Sequence, residues 1–386
     1  MTTIVEGSST AQFEPVRSAL AQLLTSGQDF GASVAVTVRG ELVADLWGGH
    51  IDTARTVPWH RDTIVNVFST TKTMTNLCAL LLADCGDLDV DAPVDRYWPE
   101  FKANGKEDVL VRHVLGHSSG LSGWDATIEP ADLCDWERCT TLLAAQSPWW
   151  EPGTMSGYHA LTQGYLVGEI VRRITGQTLG EFFARELAAP LNADFYIGTS
   201  AANDARIAPM IEPQTMSAAA LPAVESETHR RIMTKTLLNG VPPAETSRTP
   251  EWRRAEIPAA NGHGNARSVA AIQSIVSNLG AANGTRLLSE DGCRRIFRTQ
   301  SNGIDAVLGV PIRFGVGFGL PNETTPFPSI NTCFWGGWGG SLVVNDLVAH
   351  MTIAYVMNKM GPGTLGDERA AGIVLAAYSA LLAESS

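Results

Sequence analysis

The 386-residue sequence predicts an α/β chain of the α+β kind, with an antiparallel sheet flanked by helices and a mostly helical second lobe. Two observations lead there. Strand-like segments lie near both ends of the chain, and segments with helical apolar spacing fill the middle. The length is also enough to bury two lobes. The expected division is residues 1–68 with 261–386 as one discontinuous α/β domain, and residues 69–260 as a mostly helical domain. A site is expected in the cleft between them.

Each element has its own signal. "FEPVRSALAQLLTSG" has helical apolar spacing and stops at Gly27. "GASVAVTVRGELVADLWGG" reads as two strands around Arg39-Gly40. From Ser69 to Ala83 the pattern is helical, closed by Gly86. "VRHVLGH", "LCDWERCTTLLAAQ", "LTQGYLVGEIVRRITG" and "TLGEFFARELAAPL" continue the helical middle. Beyond Asn192 the chain turns Pro- and Ala-rich to about Ala260, which reads as irregular connection. "SVAAIQSIVSNLGAANG" is another helix, and "FGVGFGL", "GGSLVVN" and "AHMTIAYVMN" are strands. The last helix contains "AAGIVLAAYSALLA", too short and too polar at Ser and Tyr to span a bilayer.

Composition excludes several function classes. A net charge of −12 opposes a nucleic-acid or anionic-membrane partner, because both require basic surface. The N-terminal "MTTIVEGSSTAQFEPV" has no basic start and no apolar core of a secretory signal, so a cytoplasmic location is expected. Six cysteines occur without a C-x-x-C pair, and they are expected to be reduced, small hydrophobic side chains. No H-E-x-x-H, P-loop or dinucleotide fingerprint is present. Neither a metal nor an organic cofactor is implied.

The chemistry is concentrated in "VNVFSTTKTMTNLCALLLADCG". The chain has only five lysines, and Lys72 stands at the head of an apolar helix. A lysine there is costly unless paired or used. Ser69 lies three residues earlier, on the same helical face. A serine hydroxyl needs a neighbouring base to become nucleophilic. Burial and the helix N-terminus both favour the neutral amine that can serve as one. Alone, S-x-x-K is a weak signal, since Ser69 as a cap and Lys72 as an exposed first-turn residue explain it equally well.

Its downstream company is "LGHSSGLSGWD", then "WEPGTMSGYHALTQGYLVGEIVRRITG", then "CFWGGWGGSLVVND". In this order, over roughly residues 14 to 383, the chain resembles the serine β-lactamase and penicillin-binding-protein superfamily. More narrowly it resembles class C β-lactamase-like esterases, the family VIII carboxylesterases. The resemblance implies a β-lactamase/transpeptidase-like fold. It implies Ser69 as acyl-accepting nucleophile, Lys72 as its partner base and Tyr158 as a proton relay, a tyrosine that sits closer to its phenolate form beside an ammonium. Which of Lys72 and Tyr158 takes the serine proton stays open. "WGGWGG" resembles the K-T-G element and allows two frames. Trp335-Gly336-Gly337 sets the Trp338 N–H beside the Ser69 N–H as the oxyanion hole, whereas Trp338-Gly339-Gly340 assigns that role to Ser341. The first is preferred, with Trp335, Gly336 and Gly337 against the substrate.

"GHSSG" from Gly116 to Gly120 also fits the G-x-S-x-G elbow of another hydrolase class. That elbow needs a strand before it and a helix after it, and here a helical segment precedes. Ser118 is therefore expected to be a loop residue, with His263 in a loop and His350 packed in a strand rather than acting as its base. Two departures from the β-lactamase pattern bear on substrate. Ala160 replaces the Asn of Y-x-N, and Trp335 replaces the Lys of K-T-G. The loss of both polar groups predicts a carboxylesterase for small uncharged esters with at most weak β-lactam hydrolysis. The alternatives are an acyltransferase, peptidase or amidase with the same Ser-Lys-Tyr site, and a non-catalytic scaffold.

Overall fold

The computed structural model describes residues 4–212 and 226–383. Nine strands form one antiparallel sheet, ordered Val5–Ser9, Glu41–Gly49, Gly31–Val38, Met351–Met357, Leu342–Asp346, Thr332–Gly336, Gly319–Leu320, Pro311–Phe314 and Ser301–Ile304. The two ends of the chain meet at its centre, where Ala354 pairs with Ala35 and Tyr355 with Val34. The run "GASVAVTV" is apolar almost throughout because both of its faces are covered. Ser33 and Thr352 point to helix Ala266–Ser277, through the Ala266 N–H and the Ser277 hydroxyl. Tyr355, on the opposite face, reaches Asp29 and the start of helix Glu368–Leu382. That helix packs with Glu14–Ser26 to close the second face.

A second sheet carries the candidate nucleophile. Its four strands run in the order Phe195–Ile197, Gly262–Gly264, Ile64–Asn66 and Ile207–Ala208. It draws strands from either side of residues 69 and 261, and His263 is one of its strand residues rather than a loop residue. Strand Ile64–Asn66 leads through Phe68, at φ 43°, into a 3₁₀ turn Phe68–Thr70 and then helix Thr71–Cys85. A left-handed φ at a bulky residue is costly, on the order of 1–3 kcal/mol, and is held by surrounding packing. Helix Thr71–Cys85 is buried along nearly its whole length and ends at Gly86, whose φ of 88° suits a residue without Cβ.

Several expectations shift at their edges. Strand Val5–Ser9 was not anticipated, because "VEGSS" is polar and lies at the exposed sheet edge. "FGVGFGL" is not continuous strand. It breaks between Phe314 and Gly319, where Gly317 has a φ of 85° and its carbonyl accepts from Asn76. The stretch from Asn192 to Ala260 holds helices Glu227–Leu237 and Pro250–Arg254 as well as short strands, and residues 213–225 lie outside the described residues. His350 sits in the turn ahead of strand Met351–Met357 at φ 50°. All six cysteines are free. Among the described residues no helix is long and apolar enough to cross a membrane.

Candidate active site

Ser69 does not open the α-helix, as its spacing suggested, but occupies the 3₁₀ turn just before it. The contact with Lys72 survives because side chains at i and i+3 eclipse in 3₁₀ geometry. Lys72 Nζ lies 3.1 Å from Ser69 Oγ, 2.7 Å from the Ala160 carbonyl oxygen and 3.0 Å from the Ala259 carbonyl oxygen. Among the described residues no carboxylate pairs with it. Burial alone pushes the Lys72 pKa well below the ordinary lysine value. A neutral amine has two donors and one lone pair. The two carbonyls match the donors, and the lone pair is then free to accept the Ser69 proton.

Tyr158 stands on the other side of the nucleophile. Its hydroxyl donates to Ser69 Oγ at 2.6 Å. The phenol is fully buried, and burial pushes its pKa up rather than toward the phenolate, correcting the expectation drawn from a nearby ammonium. The Ser69 hydrogen bond works in the opposite direction but does not overcome it. Tyr158 does not itself begin a helix. It lies in the segment ahead of helix Thr162–Thr175.

Asp305 fixes Tyr158 from behind. Its Oδ1 accepts the Tyr158 N–H at 3.0 Å and the Val307 and Leu308 N–H groups at 2.9 Å each. Burial raises the Asp305 pKa, and these N–H groups oppose the rise. No motif around "NGIDAVLGV" announced this residue, since its role depends on a turn, just after strand Ser301–Ile304, that lies 147 positions from Tyr158.

Trp335 is buried against Tyr158, Phe314 and His117, with ring centroids 5.4, 5.4 and 5.9 Å away. It forms an apolar wall where the K-T-G pattern carries an ammonium. Its indole N–H lies close enough to the Tyr158 hydroxyl to draw that pKa down slightly, yet makes no hydrogen bond of normal geometry. The strand Thr332–Gly336 ends beside the nucleophile turn. A Cβ on Gly337 would strike the Val67 carbonyl oxygen and stand 3.2 Å from the Ser69 nitrogen. A Cβ on Gly336 would strike the backbone at Leu365. Both glycines are thus required by close backbone approach. Among the described residues the Trp338 N–H donates to no protein acceptor, and its ring packs on Phe68 at 5.2 Å. Ser341 instead turns its hydroxyl to the Val67 carbonyl at 2.9 Å and to Thr70 at 2.9 Å, tying the hairpin to the nucleophile turn.

The competing serine has no base. Ser118 is fully buried, and its hydroxyl reaches only the His113 carbonyl at 3.5 Å. His263 faces the Asn261 carbonyl and His350 the Ser277 carbonyl. A Ser-His contact does occur nearby, between Ser119 Oγ and His159 Nε2 at 2.6 Å, but both side chains are sealed from solvent. Lys106 is equally hidden and bonds only the carbonyls of Ala103 and Gln146, so burial of a lysine does not by itself mark a site.

Comparison with known proteins identifies the family and the fold. The sequence matches the Beta-lactamase family over residues 16–378. It is 35% identical over 366 residues to "Esterase/beta-lactamase LipL" of Mycobacterium tuberculosis, covering 92% of this chain and 83% of that protein. Among solved structures, a family VIII carboxylesterase superposes with a TM-score of 0.91 at 37% identity, covering 98% of this chain and all (100%) of that one. A penicillin-binding protein homologue from Caulobacter crescentus superposes with a TM-score of 0.90 at 34% identity, with 98% and 100% covered. The chain belongs to the beta-lactamase family.

Proposed function

We propose that this serine hydrolase is a carboxylesterase that cleaves small uncharged esters through an acyl-enzyme on Ser69. The observation that carries the reading is the position of Ser69 Oγ, 3.1 Å from the Lys72 amine and 2.6 Å from the Tyr158 hydroxyl, with burial disfavouring the charged form of both. Lys72 takes the Ser69 proton as Oγ attacks the ester carbonyl. The oxyanion is held by the N–H groups of Ser69 and Trp338. Tyr158 gives its proton to the departing alkoxide, which leaves as alcohol. In the second half, the Tyr158 phenolate takes a proton from water, and the hydroxide attacks the acyl carbonyl. Ser69 then leaves with the proton from Lys72, and acid and enzyme are released. Every proton is returned, and no cofactor takes part.

Substrate choice follows from the walls. Trp335, with Gly336 and Gly337 after it, borders the acyl site and packs in an apolar cluster with Tyr158 and Phe314, where the K-T-G pattern carries an ammonium. A carboxylate-bearing β-lactam loses that ammonium as a partner at Trp335. Turnover of nitrocefin is therefore expected to be weak beside that of a p-nitrophenyl short-chain ester. The test is a side-by-side assay of both substrates with the wild type and Ser69→Ala, together with fluorophosphonate labelling mapped to a peptide. Loss of ester turnover in Ser69→Ala and labelling at Ser69 are expected. An active Ser69→Ala enzyme, or a wild type that neither labels nor turns over, defeats the reading, the latter in favour of a scaffold.

A further inference from the structure

The turn that bears Trp338 is gripped from outside the active site by one buried guanidinium. Gly337 N–H donates to Ser341 O at 2.8 Å and Gly340 N–H to Gly337 O at 3.1 Å, so Trp338 and Gly339 are the central residues of a tight turn. Gly339 is the residue tied to the rest of the protein. Its N–H donates to Gly363 O at 2.9 Å, and its carbonyl accepts from Gly361 N–H at 2.7 Å and from Arg369 Nη2 at 2.6 Å. Arg369 stands at the start of helix Glu368–Leu382 and is nine-tenths buried. Its other contacts include Asp29 Oδ1 at 2.6 Å, Asp367 Oδ2 at 2.6 Å and the Lys359 carbonyl at 2.8 Å. Space for the guanidinium is left by glycines. A Cβ on Gly340 would lie 2.5 Å from Nη2, and one on Gly361 would lie 2.7 Å from it.

We infer that Arg369 is a positioning residue for the oxyanion hole. This rests on the esterase reading and deepens it. The guanidinium is planar, and its N–H groups leave in fixed directions. Asp29 and Asp367 set its orientation, and Asp29 is itself held by the Tyr355 hydroxyl at 2.6 Å. With the plane fixed, Nη2 pins the Gly339 carbonyl. The peptide between Gly337 and Trp338 is then bracketed by bonded residues on both sides. An oxyanion donor works only if its N–H is already aimed before charge develops. Arg369 supplies that aim without touching substrate. A lysine keeps the charge, but its ammonium cannot match the planar fork that spans Asp29, Asp367 and Gly339 at once.

The test compares an ester with its thionoester, in which sulfur replaces the carbonyl oxygen. Sulfur accepts hydrogen bonds poorly, so an aligned oxyanion hole favours the ester, and the rate ratio reports that alignment. The proteins are the wild type, Arg369→Lys, Arg369→Met and Tyr378→Phe, each with its thermal midpoint recorded. Both Arg369 variants are expected to lose ten- to hundredfold in kcat for the ester with KM changed less than threefold. Their ester-to-thionoester ratio should fall at least tenfold. Tyr378→Phe removes a buried hydroxyl on the same helix that bonds Asp346 at 2.8 Å, outside the Arg369 cluster, and should lower the midpoint while leaving the ratio within twofold. Arg369→Lys is the milder variant if Arg369→Met does not fold. An unchanged ratio in a folded Arg369 variant, or an equal fall in Tyr378→Phe, overturns the assignment. A wild type inert to both substrates and unlabelled at Ser69 fails the esterase reading itself and removes the clamp with it, a result distinguishable from any variant effect.

Discussion

Lys72 donates to the main-chain carbonyl of Ala160 at 2.7 Å, two residues beyond the tyrosine that bonds Ser69. The position that carries an amide side chain in the Y-x-N pattern thus contributes only backbone here. A carbonyl offers the amine an acceptor but no countercharge, and burial still lowers the Lys72 pKa.

The first prediction concerns pH. Lys72 must be neutral to act as base, and burial lowers its pKa from the usual lysine range. The acid limb of kcat/KM is expected well below about 10.4, the unperturbed lysine value. Stability follows with a defined sign. In the unfolded chain Lys72 binds a proton below about 10.4, and the folded chain does not until its lower pKa is reached. Between those two values the wild type gains about 1.4 kcal/mol per pH unit relative to Lys72→Met. Urea unfolding from pH 7 to 9 measures this, and parallel curves for the two proteins would mean that Lys72 is charged in the fold.

Tyr158→Phe removes a hydroxyl bonded to Ser69 at 2.6 Å and leaves the ring between Trp335 and His117. A drop in kcat of about 10²–10⁴ is expected, the usual yield of a positioned acid or base. The thermal midpoint should change little. Stopped-flow traces should show both acylation and deacylation slowed, since the phenol serves both.

Gly337→Ala forces a methyl against Val67 O, close to the Ser69 nitrogen. The strand end must retreat, and a loss of about 10² in kcat is expected, comparable to removal of one oxyanion donor. Gly86→Ala is the control. Its Cβ meets nothing within 4 Å, but its φ is 88°. It should cost about 1 kcal/mol of stability and leave kcat unchanged.

Acid lability is expected from buried neutral histidines. Burial lowers His159 to about 3 and His263 to about 4, and lowers His117 as well. Unfolded histidines take up protons below about 6.5, so stability is intact above that pH and falls as pH drops toward 4. Each contributes a slope of up to about 1.4 kcal/mol per pH unit. His159→Gln should flatten the curve between pH 6 and 4 in denaturant titrations.

The sequence determined the parts of this protein that depend on near neighbours. Ser69 and Lys72 meet at a spacing of three residues in any tight helical turn. Gly27 and Gly86 ended their helices where expected, and "GASVAVTV" and "AHMTIAYVMN" were legible as strands because β-branched and apolar runs suit a sheet covered on both faces. The polar strand Val5–Ser9 was not legible, since pairing rather than side-chain pattern makes it a strand. The family resemblance pointed to Tyr158 as the third member of the site, but only tertiary structure decided that it donates to Ser69, 89 residues away, and that Asp305 and Arg369 support the site from behind. It also set the directions in which burial shifts the pKa values of Lys72 and Tyr158, and that for Tyr158 is the reverse of the one expected. The physical reason is that hydrogen bonds between distant segments and the loss of water around a charge depend on what the whole chain brings together, and no short stretch of sequence encodes that.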